Sequence, residues 1–128
     1  MQTLLGLVLA VALVQGGHAG PAPAAAAEIG HLLDYLGKSG CEFYRNGAWY
    51  DSGTAKAHLR YKYDALVQHG QIRTADDFIE KAATKSSLTG IAYKVRCAGD
   101  AEIPSSQWLR DALAGYRSGR SQAARIGE

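Results

Sequence analysis

The chain has two cysteines, Cys41 and Cys97, and each lies in a stretch where apolar and polar residues alternate. Cys41 opens Cys41-Glu42-Phe43-Tyr44-Arg45, and Cys97 closes Ile91-Ala92-Tyr93-Lys94-Val95-Arg96-Cys97. Side chains along a strand point alternately to opposite faces, which puts Cys41 in phase with Phe43 and Cys97 in phase with Ile91, Tyr93 and Val95. Both sulfurs are therefore expected on the core side of a sheet. A Cys41–Cys97 bridge would join two strands far apart in sequence, and in the chain-entropy model a closed loop of that size contributes about 4 kcal/mol. Two separate buried thiols would fit the same alternation, and two cysteines are too few for a structural zinc site. The choice turns on the redox compartment.

The amino-terminal residues address that compartment. All 14 Lys+Arg and all 12 Asp+Glu lie after position 27, preceded by an apolar run from Leu4 to Val14 and an Ala/Pro stretch. The run is shorter than the roughly 20 residues a helix needs to cross a bilayer. Gly17 with Ala19, Ala22 with Ala24, or Ala25 with Ala27 each supply the small residues of a cleavage site. Residues 1–27 are thus expected to be a signal peptide cleaved near 19 to 27, its positive charge coming from the amino terminus alone. An uncleaved tail is the competing reading. Export to the periplasm or beyond follows, which favours the disulfide, and no later segment is apolar enough to span a membrane. The formal net charge of +2 argues against a nucleic-acid partner, which calls for a strongly basic domain or face.

From Glu28 the spacing becomes helical, with Ile29, Leu32, Leu33 and Leu36 on one face. Asn46-Gly47, between Cys41–Arg45 and Ala48–Tyr50, predicts a hairpin with a type I′ turn. A second helix is expected after Thr54 as N-cap, ending at Gly70, and a third from Thr74, with Asp76 and Asp77 at its positive end. The strand ending at Cys97 is followed by a loop from Ala98 to Ile103. A last helix then starts at Pro104-Ser105 and ends at Gly119. The expectation is an α+β fold: a three-stranded antiparallel sheet, made of the hairpin plus one distant strand, with about four helices packed mainly on one face. It forms a single domain over 28–118, with 119–128 a flexible tail.

Several blocks in order resemble a known family. They are Gly40-Cys41-Glu42-Phe43-Tyr44-Arg45-Asn46-Gly47 with Tyr50, Ala57-His58-Leu59-Arg60-Tyr61-Lys62-Tyr63, Ile72-Arg73-Thr74-Ala75 with Phe78-Ile79, Ser86-Ser87-Leu88-Thr89-Gly90 with Tyr93 and Val95, and Trp108-Leu109. Together they resemble domain of unknown function family 5329, small exported bacterial proteins. Where members often carry a Lys-Pro-Tyr-like segment, this chain has Ile91-Ala92-Tyr93. The resemblance implies export and an intact fold, and carries no activity.

Three kinds of chemistry can be weighed on the residues themselves. A small periplasmic hydrolase would use His58 with Ser86 or Ser87, but no Gly-x-Ser-x-Gly elbow surrounds the serines, and capping or a turn explains them as well. His31, His58 and His69 lack metal-ligand spacing, so neither a metal nor another cofactor is expected. The third kind is cationic: Arg45 beside the turn, His58, Arg60 and Lys62 on the second helix, Arg73 before the third, and Lys85 beside Ser86 and Ser87. His58 and Lys62, four residues apart, share one helix stripe. If that stripe faces the hairpin turn and the serine loop, it forms a pocket for a small anion or an acidic cell-envelope protein. Otherwise it is a solvated face, with Arg45 packed over an aromatic ring. Tyr44, Trp49, Tyr50, Tyr61 and Tyr63 crowd the same region, either as interface residues or as core. The expected function is an anion-binding or interaction module, with no catalytic residue assigned.

Overall fold

A computed structural model describes residues 20–127 together with Thr3 and Gly6. The apolar run expected to belong to a signal peptide, and the cleavage site at Gly17 and Ala19, lie outside the described residues apart from Gly6.

The first helix, α1 (Pro23–Lys38), begins five residues before the apolar periodicity does. Pro23 suits a first helical turn and the alanines after it are the best helix formers, so propensity extends the helix where no apolar stripe marks it. The candidate cleavage sites at Ala22 and Ala24 and at Ala25 and Ala27 fall at the start of this helix. Strands β1 (Glu42–Arg45) and β2 (Ala48–Tyr50) pair antiparallel across Asn46-Gly47. Both turn residues have positive φ, 50° and 90°, as a type I′ turn demands.

Helix α2 (Ser52–Gln68) is capped by Asp51, whose Oδ1 accepts from the Thr54 amide at 2.7 Å, rather than by Thr54 itself. The aspartate wins because its carboxylate reaches the free amides one turn on and suits the positive end of the dipole. The helix stops in a Schellman motif: the Gln71 amide bonds the Leu66 carbonyl, the Gly70 amide bonds that of Val67, and Gly70 takes φ of +67°. Helix α3 (Ala75–Ala82) carries the expected Thr74 cap, closed into a capping box by Asp77.

Strand β3 (Lys94–Arg96) pairs antiparallel with β1, and a two-residue strand, β4 (Ile103–Pro104), pairs with β3. The sheet therefore has four strands in the order β2-β1-β3-β4, not three. The fourth was hidden because it is short and half proline, a residue a sheet accepts only where a missing donor costs nothing, as at this edge. Helix α4 (Ser105–Ile126) runs through Gly119 instead of stopping there. Its last turns are exposed, so no apolar stripe announces them.

Register sorts the sheet into two faces. Tyr50, Phe43, Val95 and Ile103 stand opposite one another on one face, and Trp49, Tyr44 and Lys94 on the other. The first row meets the helices, with Phe43 edge-on to Trp108 of α4 at 5.6 Å. Ile29, Leu32, Leu36, Ile72, Phe78, Ile79 and Leu109 are fully buried behind it. Cys41 and Cys97 are bonded, with a sequence separation of 56. Glu28 on α1, almost buried, accepts from Arg117 Nε at 2.7 Å and Arg120 Nη2 at 2.9 Å, clasping α1 to α4. Among the described residues no helix is long and apolar enough to cross a membrane.

Candidate functional site

The phase that puts Phe43 on the helix side of β1 puts Arg45 there too, two residues on. An arginine at the hairpin end thus points inward, toward α2. Its Nη1 lies 2.6 Å from His58 Nδ1, and its guanidinium carbon sits 4.8 Å from the centre of the Tyr50 ring. On β3's side Tyr93, in phase with Val95, is buried to 6% exposure. Its hydroxyl lies 3.2 Å from His58 Nε2 and 3.1 Å from Lys62 Nζ. Lys62 also donates to the Lys85 carbonyl at 3.0 Å.

The donors and acceptors fix the proton positions. A guanidinium can only donate, so His58 Nδ1 accepts, and the proton of the neutral ring is on Nε2. That N–H and the Lys62 ammonium both donate to the Tyr93 oxygen, which leaves the tyrosine's own proton without an acceptor among the described residues. Burial, then the Arg45 and Lys62 charges, hold the His58 pKa below the ordinary imidazole value. Burial, then Arg45, bring Lys62 down to about 8. Tyr93 is pushed up by burial, against the pull of Arg45.

These groups form one wall of a cleft of about 540 Å³, bounded by the hairpin turn, by α2 and by the loop carrying Ser86, Ser87 and Leu88. The same wall backs a much smaller apolar pocket of about 30 Å³ beneath Tyr50, Thr54 and Leu59. No aspartate or glutamate lines either space. Among the described residues Arg45 and Lys62 make no salt bridge, and they are half-buried, whereas the other lysines and arginines either have a carboxylate partner, as Lys56, Arg60, Lys94, Arg96, Arg117 and Arg120 do, or are exposed to water.

The structure brings together Arg45, His58, Lys62, Ser86 and Ser87 of the residues expected at a site. It leaves out three. Arg60 turns away to pair with Asp64 at 3.3 Å, and Arg73 and Lys85, both exposed, line neither space. Ser86 Oγ accepts from Asn46 Nδ2 at 3.2 Å and from the amides of Leu88 and Thr89 at 3.3 Å. Asn46 in turn accepts from Thr89 at 2.7 Å, so the hairpin turn and the serine loop are tied to each other. Neither serine hydrogen-bonds His58 among the described residues, and both ring nitrogens of His58 are engaged elsewhere. Tyr93 and Asn46 were missed as site residues. Alternation already carried Tyr93 inward, but nothing in the sequence says that its hydroxyl meets α2.

Among the described residues no group of three or more His, Cys, Asp or Glu could hold a metal ion. A family model described as a family of unknown function (DUF5329) matches residues 23–117, from the start of α1 to the middle of α4. No curated protein and no solved structure matches the chain.

Proposed function

The chain belongs to the DUF5329 family, whose description names no activity, and from the geometry of the cleft we propose that it is a binding module for a small anion, a carboxylate or a phosphate. The observation that carries this reading is the pair Arg45 and Lys62: two half-buried cations on one wall, joined through His58 and Tyr93, with no carboxylate among the described residues to balance them. Holding uncompensated cations away from water costs stability, and an anion in the cleft offsets that cost. Arg45 has further N–H groups, Lys62 has a third ammonium proton, and the Tyr93 hydroxyl has its own, so the wall can donate several hydrogen bonds to one anion. The concave shape favours a small ligand over the flat surface of an acidic cell-envelope protein. The Cys41–Cys97 bridge supports action in an oxidising compartment, hence export.

The test is titration of isotope-labelled protein with acetate and with inorganic phosphate, followed by amide chemical shifts. Saturable shifts are expected at Arg45, His58, Lys62 and the serine loop. Arg45→Ala and Lys62→Ala should each weaken binding about tenfold or more, the scale of a lost charged hydrogen bond, with circular dichroism unchanged. Equal affinities in the folded variants would remove this site from the account.

A further inference from the structure

We infer that the cleft takes an amphiphilic anion, with the charged head against Arg45 and Lys62 and an apolar chain along the carboxyl-terminal half of α2; this rests on the anion site proposed above. The residues α2 turns toward the cleft are His58, Tyr61, Lys62, Ala65 and Leu66, spaced as one helix face. Their chemistry changes along the axis. The polar end lies at His58 and the Lys62 ammonium, by the hairpin, and a turn further on the face presents Ala65 and Leu66 with no charge. Across the cleft stands Leu88, 95% exposed, and on the near rim Tyr61, 75% exposed. Single exposed apolar side chains need no explanation, but two large ones bordering the same cleft, next to an uncharged helix face, give an apolar chain a surface to cover. An inorganic anion would occupy the cationic wall alone and leave these groups in water.

Calorimetric titration with acetate, hexanoate, octanoate and decanoate, all below their micelle concentrations, tests the inference. Affinity should rise about twofold per added methylene, half the roughly fourfold of full burial because the cleft is open on one side. Leu88→Ser and Tyr61→Ser should flatten that rise while leaving the affinity for acetate unchanged. Octanol, with the chain and no charge, should bind at least tenfold more weakly than octanoate. A series with no chain dependence, in a protein that still binds acetate through Arg45 and Lys62, would overturn the amphiphile and leave the anion site standing. Octanol binding as tightly as octanoate would overturn the need for a charged head, and no binding of any member would overturn both readings. Binding to anionic phospholipid vesicles without any response to the monomeric acids would replace a soluble ligand by a membrane surface.

Discussion

Lys62 is charged at a cost. An amine that titrates at about 8 in the fold and at 10.5 as a free side chain is charged in both states below about 8, where the fold bears the whole penalty of burying the charge. Between the two values the unfolded chain holds more protons, so this residue makes stability rise with pH over that window. Lys62→Met, which keeps the stem and removes the ammonium, should therefore raise the melting temperature at pH 7 and have a smaller effect near pH 10; a variant less stable at both would refute the penalty. Ligand binding runs the other way. An anion favours the charged amine, so acetate, whose own charge is constant above about pH 6, should bind more weakly as pH rises through 8. His58, held below the ordinary imidazole value, should add a second strengthening only on the acid side of 6.5. Dissociation constants across pH 5.5–10 check both steps, and a flat profile would separate these residues from the ligand.

The elements differ in how far their residues announced them. The hairpin was legible because Asn46-Gly47 can take the two positive φ angles that a two-residue turn requires, and α3 because Thr74 and Asp77 form a capping box. Two helix ends were not legible, since alanine propensity starts α1 at Pro23 and exposed polar turns carry α4 beyond Gly119, neither leaving an apolar stripe. Strand β4 was lost in a loop. The clasp between α1 and α4 was also invisible, because Glu28 and its arginines lie about ninety residues apart. Its energetics can be tested. The Arg117 hydrogen bond, opposed by burial and helped by the two arginine charges, holds the Glu28 carboxyl below its usual value. The stabilisation is thus present above the unfolded glutamate pKa of 4.5 and is lost as pH falls through the lower folded value. Because both guanidinia keep contact with water, Glu28→Ala should cost roughly 1–2 kcal/mol in urea unfolding at pH 7, less than a fully buried pair. A difference near zero at pH 7 would contradict the clasp.

For the molecule as a whole, the disulfide and the helix-backed sheet hold rigid a wall that works against its own stability. A domain of this size has a thin margin, and the bridge, at about 4 kcal/mol in the chain-entropy model, works against the cost of holding the two cations half-buried. The candidate site was half legible. Spacing put His58 and Lys62 on one stripe and chain order put Arg45 at the turn, but the contacts that complete the wall, with Tyr93 at the centre, depend on β3 pairing with β1 far along the chain. The central claim, that an anion neutralises Arg45 and Lys62, is tested most directly by the melting temperature at pH 7 and near pH 10 in one fixed concentration of acetate, ten times the dissociation constant measured at pH 7. Linkage then gives about 1.4 kcal/mol, or a shift of roughly 6–11 °C, at pH 7. The shift should shrink near pH 10, where Lys62 is neutral, and should be absent from the folded Arg45→Ala/Lys62→Met double variant. An equal shift in wild type and double variant would mean that acetate acts on the protein elsewhere, and the account of the cleft would fail.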